Sequence, residues 1–342
     1  MLRRQFKLIV YWCIGLVAGA AGAQSALSAE PARATITDPV ELAAPYPTRP
    51  IHIVVPFPPG GAVDAIARGI GQRIAEQTAQ SVIIDNRPGA SANLGAEMVA
   101  RSPADGYTLL MGANGLATNM TLFPQLSFNA LRDFASIARI GEAPVVLVVP
   151  VDSHLRSVSD LTTAARTQPG QLTYGSAGNG SSNHLAGEML KAAAQIDVLH
   201  VPYKGGAPAL TDLLGGRISF MLLNTVEVLP QLRSGRLRAL AVGSRQRLAL
   251  LPDTPTLAEA GLSGFEASVW WGLLAPAQTP REIVHRLNSE VQTALASPAL
   301  HRQMSEMGVV TTPGTEADFT LFLRSEVERW GRLIRAGGLQ PD

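Results

Sequence analysis

The stretch that decides the fold is PFPPGGAVD, at residues 56–64. It follows Ile51–Val55, a short apolar and β-branched run that predicts a buried strand. It leads into a helical pattern in which Ile66, Ile70 and Ile74 fall on one face. A glycine pair between a strand and a helix start leaves backbone N–H groups and the positive end of the helix dipole facing outward. The stretch therefore predicts an anion site, and the alternative is a turn that uses glycine only for its backbone freedom.

Strands and helices alternate along the rest of the chain. The sequence predicts further strands at residues 82–84, 107–111, 172–174, 198–201, 218–223, 237–242 and 266–274. This alternation predicts an α/β fold of two lobes, each a mostly parallel sheet flanked by helices, with a ligand cleft between them. We expect the chain to cross between the lobes near residues 145–150 and to return near residues 265–271, which makes a hinge. The resulting assignment is a first lobe of residues 46–147 and 268–342 and a second lobe of residues 148–267.

Several helices carry more detailed expectations. Helical spacing predicts the apolar faces of two of them, Leu94 and Met98 with neighbouring alanines in the first, and Leu185, Met189 and Ala193 in the second. Two later helices are expected to begin with capping boxes. These are Thr279 with Glu282, and Thr315 with Asp318.

The N-terminus has the features of an export signal. Three basic residues precede an apolar run at residues 8–21, and the small-x-small triplet at residues 21–23 is typical of a signal-peptidase site. We predict a cleaved signal peptide at residues 1–23, a flexible tether at residues 24–45, and a periplasmic location for the mature chain.

Composition and charge argue against several classes of function. A chain of 342 residues, of which 46% are hydrophobic, is long enough for two domains. Removal of the signal takes away three basic residues and moves the net charge from +1 to −2, so no basic patch remains for nucleic acid. The single cysteine, Cys13, leaves with the signal, and none of the six histidines pairs at helical spacing. We therefore expect no disulfide, no metal and no cofactor.

Two further loops repeat the glycine pattern. Residues 112–115 follow the third strand, and residues 175–182, GSAGNGSS, join a strand to a helix in the second lobe. Open α/β sheets bind ligands at this carboxyl edge, so a cleft between the lobes is expected to enclose a small anion. The uncharged donors of the second loop are Ser176, Asn179, Ser181 and Ser182, with an N-cap as the alternative role of Ser182.

The serine-containing loop at residues 175–182, called the serine loop below, does not predict a hydrolase. No G-x-S-x-G nucleophile elbow occurs, and His184 lies two residues from Ser182 at a helix start, where the two side chains do not face each other. His184 is expected to lie at the cleft rim or in packing. We therefore predict a binding protein and not an enzyme.

Long motifs in a fixed order carry a resemblance to a known family. They are YPTRPI (46–51), VPFPPGG (55–61) with Asp64, DNRPGA (85–90), PADGYTL (103–109), GNGSSNHLAGE (178–188), HVPYKG (200–205), LTDLLGG (210–216) and LPDTPT (251–256). Together they resemble the Bug family, the solute-binding proteins of tripartite tricarboxylate transporters. The resemblance implies a two-lobed type II periplasmic binding protein that captures a small carboxylate and delivers it to membrane permease subunits. We expect it to act as a monomer.

The resemblance also implies which residues bind the carboxylate. In the family, the loops after the first and third strands and the Gly-Asn-Gly-Ser-Ser segment hold it. The matching positions here are Phe57, Gly60, Gly61, Ala62, Val63, Asp64, Asn114, Gly115, Thr118, Ser176, Asn179, Ser181, Ser182 and His184, with Tyr203, Lys204 and Asn224 nearby.

The chain departs from the family pattern at positions that affect ligand choice. Ala62 and Val63 replace frequent hydroxyl residues, and Leu223 replaces a frequent aspartate. These changes predict a less polar pocket that favours an aromatic acid or an aliphatic dicarboxylate over an amino acid. The alternative role of Asp64 is to serve the dipole of its own helix, and that of Lys204 is a solvated turn residue. The alternative function is a carboxylate sensor that signals to a membrane histidine kinase.

Overall fold

The computed structural model describes residues 46–336, so the predicted signal peptide and tether lie outside the described residues. The strands are β1 (Ile51–Val55), β2 (Val82–Asn86), β3 (Thr108–Ala113), β4 (Phe134–Pro150), β5 (Thr173–Ser176), β6 (Leu199–Pro202), β7 (Phe220–Asn224), β8 (Leu237–Val242), β9 (Ser268–Pro276) and β10 (Val310–Thr311). The helices are α1 (Ala62–Thr78), α2 (Asn93–Ala100), α3 (Asn114–Leu122), α4 (Val158–Thr167), α5 (Ser182–Ala194), α6 (Gly206–Leu214), α7 (Thr225–Arg233), α8 (Arg281–Ala296), α9 (Pro298–Glu306) and α10 (Glu316–Ala336). Within residues 46–336, no helix combines the length and apolarity needed to cross a bilayer.

The first lobe is built on the sheet order β2-β1-β3-β9-β4. Strands β1, β2 and β3 are parallel, whereas β9 runs antiparallel to both β3 and β4. Helices cover both faces. The core on one face joins the sheet to α1 and α8, and the core on the other joins it to α2, α3 and α10. Because β1 is covered on both sides, its sequence is almost continuously apolar.

The second lobe is built on the order β4-β7-β5-β6, with β8 also paired to β4. Strand β5 is parallel to β6 and β7, and β4 is antiparallel to β7 and β8. Two apolar cores lie on the two faces of this sheet.

Strand β4 belongs to both sheets. Up to Pro144 it pairs with β9, and from Val145 it pairs with β7 and β8. Beside this change of partners, the Val145 amide donates to the carbonyl of Ala267, which directly precedes β9 (3.1 Å). Two neighbouring chain segments therefore connect the lobes.

The predicted α/β fold is confirmed, and its details differ from the expected ones. Each sheet is mixed, because the connecting strands β4 and β9 run against their neighbours. The expected apolar face of α2 is confirmed for Ala96, which is buried together with Val99, but is wrong for Leu94 and Met98, which are exposed. In α5, Leu185 is buried as expected but Ala193 is exposed.

The two predicted capping boxes have different outcomes. The box at Thr315 and Asp318 is confirmed, because the Asp318 amide donates to the Thr315 hydroxyl (3.2 Å) and the Asp318 carboxylate accepts from the Thr315 amide (2.8 Å). The box at Thr279 is wrong. Helix α8 has Pro280 at its N-cap and no side-chain cap, and the Thr279 hydroxyl instead donates to the carbonyl of Pro276 (2.8 Å).

Candidate functional site

Helix N-termini from both lobes meet at one cleft. Helices α1 and α3 follow β1 and β3 in the first lobe, and α5, α6 and α7 follow β5, β6 and β7 in the second. Because parallel strands end at the same edge of a sheet, these helices begin side by side. The cleft has a cavity volume of about 50 Å³. Its lining consists of Phe57, Pro58, Gly61, Ala62, Val63, Ala113, Asn114, Gly115, Ala177, Ser181, Ser182, Asn183, Gly206, Ala207, Asn224, Glu227, Val269 and Trp271.

The sequence-predicted site residues fall into three groups. Those that line the cleft are Phe57, Gly61, Ala62, Val63, Asn114, Gly115, Ser181, Ser182 and Asn224. Asn179, Tyr203 and Lys204 line an adjoining cavity that shares Phe57, Pro58 and Ala177 with the cleft. Gly60, Asp64, Thr118, Ser176 and His184 are not part of the cleft lining.

Two helix starts at the cleft lack side-chain caps. The N-cap residues of α1 and α3 are Gly61 and Ala113, and neither offers a side-chain acceptor to the first amides of its helix. Uncapped amides and the helix dipole together favour an anion. Helix α5 differs, because Ser181 is its N-cap and accepts from the His184 amide (3.3 Å). The alternative N-cap role considered for Ser182 is therefore wrong, and Ser182 is the first helical residue.

Asp64 stabilises the first loop, the glycine-containing turn between β1 and α1. Its buried carboxylate accepts from the Gly60 amide (3.1 Å), from Arg68 Nε (2.9 Å) and from Asn86 Nδ2 (3.0 Å). Burial alone would raise the pKa of Asp64, but the hydrogen bonds from Arg68, Gly60 and Asn86 outweigh burial and hold that pKa below its usual range. The carboxylate is thus engaged in shaping the glycine turn.

Thr118 connects the two lobes. Its hydroxyl donates to the carbonyl of Gly180 in the serine loop (2.7 Å). A Cβ at Gly180, which has φ 77°, would lie 3.0 Å from Leu122 Cδ1. The serine loop therefore needs glycine here both for its backbone conformation and for its close approach to α3.

Ser176 and His184 both contact His200, and these contacts support the serine loop. The Ser176 hydroxyl lies 2.7 Å from His200 Nε2, and the His184 and His200 rings stack with centroids 4.2 Å apart. His184 Nδ1 accepts from the Gly180 amide (3.1 Å). These contacts fix the loop that carries Ser181 and Ser182 to the cleft.

Glu227 is a cleft residue that the sequence reasoning missed. It lies in the first turn of α7 in the second lobe, and its carboxylate accepts a hydrogen bond from the Ala62 amide of α1 in the first lobe. Asn224 Nδ2 donates to its Oε2 (2.6 Å). A Cβ at Gly206 would collide with Oε1, so α6 can approach the carboxylate only because this residue is glycine. Burial raises the pKa of Glu227 to about 7, against the opposing effect of the hydrogen bonds from Ala62 and Asn224.

A signal for Glu227 is present in the sequence. Asn224-Thr-Val-Glu227 has the spacing of a capping box and follows a predicted strand. The Asn224 side chain does cap α7 by accepting from the Glu227 amide (3.2 Å). A helix start at the carboxyl edge of β7 would have placed this carboxylate at the cleft.

The expectation that Leu223 makes the cleft less polar is wrong. Leu223 is fully buried in the core of the second lobe and does not line the cleft. Side chains alternate along a strand, so Leu223 and the cleft-lining Asn224 face opposite sides of β7. The polarity of the cleft is set by Glu227 instead.

Trp271 is the second unpredicted residue with functional chemistry. It is fully buried in the cleft wall on β9, and its indole Nε1 has no hydrogen-bond partner among the described residues. The neighbouring Trp270 differs, because its Nε1 donates to Glu326 Oε2 (3.1 Å). A buried donor without a partner costs about 1–3 kcal/mol, so an acceptor brought within reach of the Trp271 N–H would be stabilising.

Comparison with known proteins agrees with this geometry. The family model for the tripartite tricarboxylate transporter family receptor matches residues 66–339. Protein BugT of Bordetella pertussis is 36% identical over 309 residues, which cover 90% of this chain and 94% of that protein. The structure of Rpa4515 of R. palustris with adipate is 38% identical with a TM-score of 0.84, and covers 87% of this chain and 100% of that one. MatC of Rhodopseudomonas palustris with bound malate is 31% identical with a TM-score of 0.81, and covers 84% and 100%.

These matches extend over most of the chain and confirm the resemblance to the Bug family. The relatives are binding proteins of the two-lobed periplasmic type and not enzymes. The fold and the converging helix starts described above agree with that type. The chain belongs to the tripartite tricarboxylate transporter receptor family, and it is a solute-binding protein of that family.

Proposed function

We propose that the protein binds a small carboxylate with an apolar body, either an aliphatic dicarboxylate or an aromatic acid, and delivers it to permease subunits of a tripartite tricarboxylate transporter. The observation that carries the proposal is the meeting, at one cleft, of the starts of α1 and α3, whose N-cap residues have no side-chain acceptor, with the buried Trp271, whose indole N–H has no partner among the described residues. Backbone amides and an indole N–H can all donate to carboxylate oxygens without bringing a positive charge.

The rest of the lining supports an apolar ligand body. Phe57, Ala62, Val63, Val269 and Trp271 all contribute carbon surface to the cleft. Ligand pockets commonly combine such surface with a few directed polar groups. The ligands in the two homologous structures, adipate and malate, are both dicarboxylates. The family and the export signal in the sequence support delivery to a permease and a periplasmic location.

A ligand panel read by thermal shift tests the binding step. Adipate, glutarate, benzoate and terephthalate are compared with glutamate and aspartate. A ligand at about 100 times its Kd adds about 2.7 kcal/mol of stability, which should raise the Tm by several degrees. Uptake of the best ligand, measured in cells with and without this gene, tests delivery to the permease. A protein that responds to none of the acids, or cells whose uptake does not depend on the gene, would contradict the proposal.

The two neighbouring tryptophans provide a matched pair of variants. Trp271→Phe keeps most of the ring but removes the unpaired N–H, so we expect about a tenfold weaker Kd for the acid, which corresponds to about 1.4 kcal/mol. Trp270→Phe removes an N–H that is already bonded to Glu326, so it should lower the Tm and leave the Kd unchanged. Equal effects of both changes on the Kd would show that Trp271 does not contact the ligand.

A further inference from the structure

The cleft of this anion-binding protein contains a negative charge of its own. Of the described residues that line it, Glu227 alone has an ionisable side chain. Its Oε1 lies so close to the starts of α1 and α6 that a Cβ at Gly61 would be 3.7 Å away and one at Gly206 would overlap it. A carboxylate that enters the cleft must therefore come near a second carboxylate. Like charges in a desolvated site repel strongly unless one of them is neutralised.

Two kinds of group could neutralise Glu227, namely an ammonium on the ligand or a proton. An ammonium needs several hydrogen-bond acceptors, and two of the three side-chain amide oxygens of the lining are already engaged. Asn114 Oδ1 accepts from the Trp270 amide (3.0 Å), and Asn224 Oδ1 accepts from the Glu227 amide (3.2 Å). The helix starts of the lining instead offer backbone N–H donors. This balance favours an anion together with a proton.

We propose, on the basis of the function proposed above, that the protein binds its carboxylate together with one proton, and that Glu227 holds this proton. The proton comes from solvent and binds to an oxygen of the Glu227 carboxylate as the ligand enters. The neutral carboxyl group can keep its hydrogen bond from Asn224 Nδ2 and gains an O–H donor. Glu227 therefore acts as a specificity determinant, because an anion binds only when the Glu227 carboxylate is protonated and loses its charge.

The surrounding charges do not replace the proton. The charged and titratable groups on the elements nearest to Glu227 are Asp64, Arg68, Arg73 and Glu76 on α1, Lys204 before α6, Asp212 on α6, Arg139 and Glu142 on β4, Arg238 on β8, Arg233 on α7, and His301, Arg302 and Glu306 on α9. Asp64 is bonded to Arg68, Glu142 to Arg139, and Asp212 to Arg217. Within the described part of the chain, the pKa of Glu227 responds to burial and to its two hydrogen bonds, and to none of these charges. Its pKa of about 7 places the change of charge within the physiological range.

The sign of the effect follows from linkage. Below the pKa of the ligand-free protein, Glu227 is already protonated and the ligand Kd does not depend on pH. Above this pKa, binding of each ligand molecule is accompanied by uptake of one proton from solvent, so the Kd rises by about tenfold per pH unit. With a pKa of about 7, the Kd should become about thirtyfold weaker between pH 6 and pH 8.5.

Calorimetric titration with adipate tests the proposal. The wild type should take up close to one proton per ligand at pH 8, measured from the binding heats in buffers of different ionisation enthalpy, and this measurement needs no variant. Glu227→Gln should bind adipate with a Kd that changes less than about twofold over the same pH range, which also accounts for any titration of the ligand itself. Glu328→Gln makes the same change of charge at an exposed position of α10 and should behave as the wild type.

The possible outcomes separate this inference from the proposed function. Tight adipate binding without proton uptake would overturn the inference and leave the proposed function intact. Tighter binding of glutamate than of adipate, again without proton uptake, would identify Glu227 as an ammonium partner and would also overturn it. Failure of every carboxylate in the panel to bind at any pH would overturn both.

Discussion

Asp64→Asn is the substitution that most directly tests how the first loop is held. Asp64 is buried, and its carboxylate joins the Gly60 amide, the Arg68 guanidinium and Asn86 Nδ2. Asparagine keeps the shape and one acceptor oxygen. It removes the charge and turns an NH2 group toward donors that the second oxygen had satisfied.

The expected loss of stability is about 2–3 kcal/mol. The pair with Arg68 contributes about 0.5–1 kcal/mol, because the Arg68 side chain is 54% exposed and water screens the interaction. A buried donor left without an acceptor, either the Gly60 amide or Asn86 Nδ2, costs a further 1–3 kcal/mol or so. For a protein of this size, the sum corresponds to a fall in Tm of about 5 °C.

Asp133→Asn is the matched control. Asp133 accepts from two nitrogens of Arg132 and from the Asn129 amide (2.7 Å), so it has a similar set of donors at a more exposed position. We expect this change to cost less than about 1 kcal/mol. Thermal denaturation of both variants measures the difference. Equal losses, or no loss for Asp64→Asn, would refute the view that Asp64 holds the glycine turn.

The pH dependence of the Asp64 contribution has a definite sign. The folded-state pKa of Asp64 lies below its usual value, so the charge of this group stabilises the fold above the usual carboxyl pKa. The contribution is lost as the pH falls through the lower, folded-state pKa. The stability difference between the wild type and Asp64→Asn should therefore be full at pH 7 and shrink in strongly acidic solution.

Two further predictions concern backbone strain and lobe motion. Ala92 has φ 74°, in the left-handed region, which costs about 1–2 kcal/mol for an L-residue. Ala92→Gly should remove this strain and, after the added entropy of the unfolded chain, raise the stability by about 0.5–1 kcal/mol; a lower Tm would contradict this. Because two segments join the lobes at Val145 and Ala267, a saturating acid should change the radius of gyration in solution scattering, and an unchanged value would argue against hinge closure.

The sequence predicted best those parts of the fold whose pattern is local. Strand β1 was predicted residue for residue, because an apolar run between two prolines has few alternatives. No part of β4 was predicted as a strand, although a crossing between the lobes was expected in its second half, near residues 145–150. Strand β4 contains Gly141 and Pro144, and its pairing partner β9 is distant in sequence, so its strand conformation comes from tertiary contacts.

Apolar residues on helices were a weaker guide to packing. In α2, the large side chains of Leu94 and Met98 face outward, while Ala96 and Val99 face the sheet. Gly95 shows why, because a Cβ there would lie 2.9 Å from the carbonyl of Arg87 and from Pro56 Cβ. The helix approaches the first loop so closely that only small residues fit at the contact.

The same distinction between local and distant contacts explains which site residues were found. Glycine-rich turns after strands are local patterns, and the loops that they indicated line the cleft. The role of Glu227 depends on a partner in the other lobe, the Ala62 amide, which no local pattern contains. An exposed helix start attracts a carboxylate of its own chain as readily as one of a ligand, since both present the same charge. The ligand preference of such a cleft can therefore be inferred from its lining only when the positions of the protein's own carboxylates are known. Because Glu227 lies in this cleft, proton uptake on ligand binding is the quantity to measure first.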